Sequence, residues 1–120
     1  MSKTFYITTP IYYPSAKPHM GHAYSSIIAD FFARFKKIDG FDVQFLTGTD
    51  EHGLKIQRSA EKQNIEPLEF CNQISKTFRD LSQTLNLTNT VFLCLSSVVL
   101  IKSVFVRFKV LDRSLNVLLI

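Results

Sequence analysis

Two groups of polar residues have side chains and spacings suited to chemistry. The first comprises His19, Gly21 and His22 in "PHMGHAYSS", which follows a proline-rich stretch and opens an apolar helical pattern. Free backbone N–H groups and the positive end of a helix dipole would lie beside these imidazoles, and both favour a phosphate. Gly21 lacks a side chain, so a flat base or a phosphate could approach the backbone. We expect His19 and His22 to donate hydrogen bonds to phosphate oxygens as negative charge develops in a transition state.

The second group is "GTDEHG", residues 48–53, where glycines bracket Asp50, Glu51 and His52. A carboxylate is a poor ligand for phosphate but a good partner for an ammonium group. A pocket that binds a phosphate on one side and an amine on the other predicts ATP together with an amino acid.

Two plainer interpretations remain open. His19 and His22 could be surface histidines near a helix cap. They could also combine with His52 and Cys71 in a zinc site, although no Cys-x-x-Cys pair supports one. The tyrosines of this region, Tyr12, Tyr13 and Tyr24, are expected to be packing residues, and outside a zinc site Cys71 would belong to the core.

The order of predicted strands brings the two groups together. Residues 4–9, "TFYITT", and residues 41–46, "FDVQFL", have the β-branched and aromatic content of strands. Pro10, Pro14 and Pro18 make residues 10–18 a loop. A strand–helix–strand order predicts an α/β fold with a parallel sheet and a βαβ crossover. Ligands of such sheets bind beyond the carboxyl ends of the strands, where both polar groups lie.

Three helices are predicted from apolar spacing and end signals. The first runs to about Lys37 and ends before Gly40, the second begins near Leu54, and the third begins at Pro67. The apolar positions of the first and third are Met20, Tyr24, Ile27, Ile28, Phe31, Phe35 and Ile38, then Phe70, Ile74, Phe78, Leu81 and Leu85.

Composition narrows the class of protein. The chain has 120 residues, enough for one small domain, with 46% apolar and 20% charged residues. Residues 91–120 contribute +3 of the net charge of +4, so the basic balance is weak evidence for a nucleic-acid surface. Cys71 and Cys94 predict free thiols. No apolar run approaches the roughly 20 residues of a membrane-spanning helix, so a cytoplasmic protein without a membrane is expected.

The same residues resemble the methionyl-tRNA synthetase family of class I aminoacyl-tRNA synthetases. His19-Met20-Gly21-His22 resembles the HIGH signature of that class. The longer stretches "YITTPIYYPSAKPHMGHAYSSIIADFFARF" and "FLTGTDEHGLKIQ" are similar to the methionyl enzymes, and the resemblance covers roughly residues 4–90. It implies the first half of a Rossmann-like nucleotide-binding domain, incomplete in this chain.

The resemblance also implies roles for individual residues. His19 and His22 would be catalytic and would contact the phosphates of ATP, which is used with Mg²⁺. Met20 and Gly21 would complete the ATP-binding motif. The methionine pocket would include Ile11, Tyr13, Asp50 and His52, with Asp50 holding the α-ammonium group. The family makes methionyl-adenylate and transfers the methionyl group to tRNA(Met). No metal site is implied within these residues.

The chain departs from the family pattern after residue 90. The 120 residues contain no KMSKS-like loop, no metal-binding knuckle and no anticodon-reading domain. Where the family continues with a short segment like Asp-Phe-Ile-Arg-Thr-Thr, this sequence has "VFLCLSSVVL". We therefore expect residues 1–90 to be a partial catalytic domain, and residues 91–120 an aberrant apolar tail translated out of frame. Alternatives are a module that binds ATP or an adenylate without catalysis, and a non-functional truncated gene product.

Overall fold

A parallel sheet of four strands forms the framework of the protein, as a computed structural model describes it for residues 3–94 and 116–119. The strands are β1 (Thr4–Thr8), β2 (Asp42–Thr49), β3 (Val91–Cys94) and β4 (Asn116–Leu119). Their order across the sheet is β3-β2-β1-β4, and each neighbouring pair is parallel. The predicted α/β class and parallel sheet are confirmed.

The helices lie where the apolar spacing predicted them. They are α1 (Met20–Ile38), α2 (Leu54–Glu61) and α3 (Pro67–Thr84). Gly40 follows α1 with φ of +84°, a conformation that glycine adopts without strain. β2 continues three residues beyond the predicted "FDVQFL", because Thr47, Gly48 and Thr49 pair with β3.

Helix α1 contacts the sheet through small side chains rather than through its large apolar ones. Its buried residues are Ser26, Ala29, Asp30 and Ala33. The large apolar side chains of the predicted stripe are mostly exposed, among them Met20, Tyr24, Ile27, Phe31, Phe35 and Ile38. Small residues let the helix lie close to β1 and β2, so the spacing identified the helix but not its buried face. Half of a doubly wound sheet is expected to leave an apolar face uncovered, so we predict that the chain is poorly soluble.

Two clusters of buried apolar residues form the core. One fills the space between α1 and the sheet with Phe5, Ile7, Ala29, Ala33 and Phe45. The other joins α2 to α3 through Ile56, Ala60, Phe70 and Cys71, which confirms Cys71 as a core residue.

A buried carboxylate ties α1 to the chain that leads into β3. Asp30 accepts hydrogen bonds from the N–H and the Oγ1 of Thr88, both at 2.6 Å, and from Nε of Arg34 at 2.6 Å. Arg34 also donates through Nη2 to the carbonyl oxygen of Asn86 at 2.5 Å. The loop after α3 is therefore fixed to α1.

Residues 91–120 contribute two strands to the sheet. β3 pairs with β2 from Leu46↔Val91 to Thr49↔Cys94, and β4 pairs with β1 from Phe5↔Asn116 to Thr8↔Leu119. Residues 95–115 lie outside the described residues, and the out-of-frame origin of the tail stays a prediction.

Candidate functional site

His19 and His22 cap the N-terminus of α1 reciprocally. Nδ1 of His19 accepts the backbone N–H of Gly21 at 3.0 Å, and Nδ1 of His22 accepts the backbone N–H of His19 at 3.1 Å. The two ring centroids lie 3.9 Å apart. Imidazoles thus satisfy helix N–H groups that would otherwise have no intrahelical partner. The surface-histidine interpretation was right about the cap, although these histidines also line a cavity.

This arrangement sets the tautomer that each ring adopts when it is neutral. A neutral imidazole carries one proton, and a ring nitrogen that accepts a hydrogen bond cannot hold it. With Nδ1 accepting in both residues, the neutral rings carry their proton on Nε2. Each histidine can therefore cap the helix and still present an N–H donor, which is the group that a phosphate oxygen requires.

Gly21 leaves room for the cap. A Cβ built at this position would lie 2.9 Å from Cε1 and 3.1 Å from Nδ1 of His19. The absent side chain therefore accommodates the imidazole of His19, a role that the sequence did not indicate.

The neutral state of His22 predicts a loss of stability in mild acid. Burial, and after it the proximity of His19, lowers the pKa of His22 below 6.5. Protonation of Nδ1 would break the bond from the His19 N–H. The contribution is complete above the unfolded-state pKa near 6.5 and is lost as the pH falls through the lower folded-state pKa. We expect the urea concentration at the unfolding midpoint to decrease as the pH is lowered from about 7 to about 5.

Two asparagine variants separate the cap from other histidines. In His22→Asn an amide oxygen can accept the same bond at every pH, so the acid-induced fall should shrink. His52→Asn changes an exposed histidine outside the cap, so this variant should show the full acid-induced decrease in the urea midpoint. Equal falls in the wild type and His22→Asn would contradict this assignment.

A cavity of about 480 Å³ opens beside the capped end of α1. Its lining is formed by the loop after β1 and the first turns of α1: Pro10, Ile11, Tyr12, Tyr13, Ser15, Ala16, Lys17, His19, Gly21, His22 and Ser25. The volume lies in the range of small-molecule sites. Ile11 and Tyr13, which were predicted to line the methionine pocket, thus share one cavity with residues predicted to lie at the phosphates. The latter are His19, Gly21 and His22. Met20 is 82% exposed and is not part of the lining.

Backbone pairing joins the second polar group to this cavity. Tyr12 forms a parallel bridge with Thr49, and its N–H donates to the carbonyl of Gly48 at 2.9 Å. The N–H of Asp50 donates to the carbonyl of Tyr12 at 2.8 Å. Asp50 is therefore one hydrogen bond from the loop that lines the cavity, although it is not among the lining residues. Its Oδ1 accepts the backbone N–H of His52 at 3.1 Å.

Glu51 makes its contacts within the protein. Its Oε1 accepts hydrogen bonds from Oγ of Ser75 at 2.7 Å and from Oγ1 of Thr49 at 3.3 Å. Sγ of Cys71 lies 3.6 Å from the carbonyl oxygen of Glu51 and donates to it. This carboxylate thus fixes the loop that carries Asp50 against α3.

His52 lies at a different cavity, of about 330 Å³, between the starts of α2 and α3. Glu51, Gly53, Glu66 and Cys71 also line it. The structure thus separates His52 and Cys71 from the cavity of His19 and His22. Within residues 3–94 and 116–119, no group of three or more His, Cys, Asp or Glu side chains is placed to hold a metal ion.

Sequence reasoning missed two residues that pack against His22. The rings of Tyr12 and Phe78 lie edge-on to it, with centroids 5.2 and 5.0 Å away. Tyr12 was predicted to be a packing residue, and Phe78 was noted only as part of an apolar stripe. The spacing of α3 marked Phe78 as inward-facing, but no local signal connects it with a residue 56 positions earlier.

Comparison with known proteins decides the family. The family described as tRNA synthetases class I (M) matches residues 5–110. The chain belongs to the class I aminoacyl-tRNA synthetases. Relatives of this chain include the mitochondrial methionine–tRNA ligase of Takifugu rubripes, 53% identical over 92 residues, and the methionine–tRNA ligase of Bacillus subtilis (strain 168), 51% identical over 92 residues. Each alignment covers 77% of this chain.

A solved structure shows the same fold. Mycobacterium tuberculosis methionyl-tRNA synthetase, bound by methionyl-adenylate, matches with a TM-score of 0.78 and 42% identity over 80% of this chain. The aligned part is 19% of that protein, and 16% and 14% of the Takifugu and Bacillus ligases. The chain thus spans less than a fifth of the length of these relatives. Among its described residues, no helix combines the length and the apolar character needed to cross a membrane.

Proposed function

We propose that the capped end of α1 is the ATP-binding part of a methionine-activating site. The observation that carries this proposal is the shared cavity of Ile11 and Tyr13 with His19 and His22. A methionyl-adenylate in the Mycobacterium relative supports it. The proposed reaction is the ATP-dependent formation of methionyl-adenylate and its transfer to tRNA(Met), in the cytoplasm.

In this proposal the two histidines act as neutral donors. Their Nε2–H groups hydrogen-bond phosphate oxygens and stabilise the charge that builds up when the α-phosphate is attacked. Gly21 leaves room for the imidazole of His19, and Met20 extends the motif. Mg²⁺ would be bound chiefly through the phosphates of ATP, which it neutralises, rather than by a protein cage.

The methionine side of the site is assigned to Ile11, Tyr13, Asp50 and His52. Ile11 and Tyr13 offer apolar surface at the cavity. Asp50 offers a carboxylate for the α-ammonium group, and its backbone bond to Tyr12 holds it near that surface. His52 would act through Asp50, whose Oδ1 accepts its backbone N–H.

Asparagine substitutions test the phosphate role without removing the cap. In His19→Asn and His22→Asn the amide oxygen replaces Nδ1 as acceptor, while the Nε2–H donor is lost. We expect calorimetry with ATP to show saturable binding to the wild-type chain and roughly tenfold weaker binding to each variant. Lys62→Ala removes a positive charge that lines neither cavity and should bind ATP like the wild type.

Three outcomes would contradict the proposal: no ATP binding to a folded chain, unchanged affinity in both asparagine variants, or an equal loss in Lys62→Ala. A chain without a cooperative unfolding transition would instead favour a non-functional gene product.

Turnover by the 120 residues alone is not expected. The sequence contains no KMSKS-like loop to close over the phosphates. We propose that this chain binds ATP and methionine but shows only background methionine-dependent exchange between ATP and pyrophosphate. Exchange above background that disappears in His22→Asn would refute the inactivity and support the reaction. Binding without exchange is also what the module interpretation requires.

A further inference from the structure

The imidazole of His22 packs against two aromatic rings that come from other parts of the chain. Tyr12 comes from the loop after β1, His22 from α1 and Phe78 from α3. Tyr12 and Phe78 are stacked, with centroids 5.2 Å apart and an interplanar angle of 17°. The imidazole of His22 meets both rings at 81°. We refer to Tyr12 and Phe78 as the aromatic pair.

The aromatic pair is itself held firmly. Phe78 is 1% exposed and Tyr12 is 5% exposed. The hydroxyl of Tyr12 lies 2.6 Å from Oγ of Ser26, a buried residue one turn beyond His22 on α1. The backbone of Tyr12 is bonded on both sides to residues at the end of β2. A ring between such neighbours has little freedom to rotate.

These contacts leave one ring nitrogen of His22 for a ligand. Nδ1 is occupied by the backbone N–H of His19. The aromatic pair packs edge-on against the ring. Burial lowers the pKa of His22, and the proximity of His19 adds to the effect. The other titratable groups lining the cavity are Tyr12, Tyr13 and Lys17. Only Nε2–H remains uncommitted among the described contacts of this ring.

We propose that Phe78, stacked on Tyr12, is a positioning residue that holds the imidazole of His22 in the Nε2–H form at the cavity. This inference rests on the proposed function, in which that N–H meets a phosphate oxygen. Phe78 acts through His22, and it reaches the site from α3. The element that fixes Glu51 therefore also orients the phosphate donor.

The test measures the ring of His22 directly. The chain has three histidines, so two-bond ¹H–¹⁵N spectra of the ¹⁵N-labelled 120-residue chain can follow each one. In the wild type His22 should be neutral at pH 7, with its proton on Nε2 alone. Phe78→Met keeps an apolar side chain of similar volume but removes the aromatic ring. We expect His22 of this variant to titrate at higher pH and to populate both tautomers.

Phe70→Met is the matched control. Phe70 is also 1% exposed and lies on the same helix, but it packs in the cluster of Ile56, Ala60 and Cys71. Its substitution should lower stability comparably and leave the signals of His22 unchanged. Equal changes at His22 in both variants would show a general loosening and overturn the proposal, as would unchanged His22 signals in a folded Phe78→Met chain.

Ser26→Ala tests the same idea if Phe78→Met does not fold. It removes the hydrogen bond that anchors the ring of Tyr12. We expect the titration and the tautomer populations of His22 to change in the same direction as in Phe78→Met, but by less. Unchanged His22 signals in this variant would count against the proposal.

ATP titration separates the proposed ATP-binding function from the positioning role of Phe78. The affinity of Phe78→Met for ATP should fall roughly two- to tenfold. If the wild type binds no ATP while the His22 signals respond as expected, the proposed function fails and the positioning of the ring stands. If ATP binds and Phe78→Met alters neither affinity nor tautomer, the positioning role fails alone.

Discussion

Gly48→Ala should displace β3 from the sheet. A Cβ built on Gly48 would collide with the backbone carbonyl oxygen of Leu93 and lie 3.0 Å from Cβ of the same residue. The obstacle is the backbone of a paired strand, so relief requires the strands to separate. We expect a loss of about 3 kcal/mol in the free energy of unfolding. Amide exchange should accelerate most in β3 and the end of β2, since β3 is an edge strand.

Gly40→Ala provides the control for this steric argument. Gly40 has φ of +84°, but a Cβ there would meet nothing within 4 Å. Gly40→Ala should lower the free energy of unfolding only through backbone strain, by about 1 kcal/mol. Similar losses in the two variants, or unchanged exchange in β3 of Gly48→Ala, would contradict the close approach of the two strands.

Asp30→Ala should produce the second large loss of stability. It removes an acceptor that serves three donors, two on Thr88 and one on Arg34. The N–H and hydroxyl of Thr88 would lose their partner in a partly buried place. We expect the free energy of unfolding to fall by about 3 kcal/mol in urea titrations at neutral pH.

The pH dependence identifies Asp30 as the source of that loss. Burial alone would raise its pKa, but the hydrogen bonds from Thr88 and Arg34 outweigh burial and hold the pKa below 3.8. Its contribution is therefore present above the unfolded-state pKa near 3.9 and is lost as the pH falls through the folded-state pKa. Asp30→Ala should lack this acid-sensitive component.

Asp39→Ala is the control for the loss of an acidic side chain that lies at the C-terminal cap of the same helix. Asp39 pairs with Lys36 at the surface and should contribute at most about 0.5 kcal/mol. A comparable loss in both variants would argue against a special role for the buried carboxylate.

The sequence was sufficient to predict most of the scaffold. Apolar spacing and the signals of Gly40 and Pro67 located the helices, because these features depend on residues close together in the chain. The buried face of α1 could not be predicted in this way. Ala29, Asp30 and Ala33 are inward-facing because the backbone approaches the sheet closely and because Thr88, far along the chain, supplies donors for the carboxylate.

The sequence likewise predicted only part of the candidate site. Strand-end reasoning predicted that His19 and His22 lie near Asp50, because the carboxyl ends of parallel strands share one edge of the sheet; the structure bonds Asp50 to Tyr12, a residue of the loop that lines the cavity. The reciprocal cap and the aromatic pair were not predicted. The cap depends on ring orientation, and the aromatic pair depends on packing between residues 12 and 78, for which the sequence carries no periodic signal.

The position of β1 has a consequence for the synthesis of this chain. Translation produces β1 before both of its neighbours, yet the strand lies in the interior of the sheet, between partners at residues 42–49 and 116–119. One edge of β1 stays unpaired until β2 has emerged from the ribosome, and the other edge stays unpaired until β4 has emerged. Unpaired strand edges can associate with strands of other molecules. A nascent chain that stalls before residue 116 would therefore expose an interior strand to aggregation.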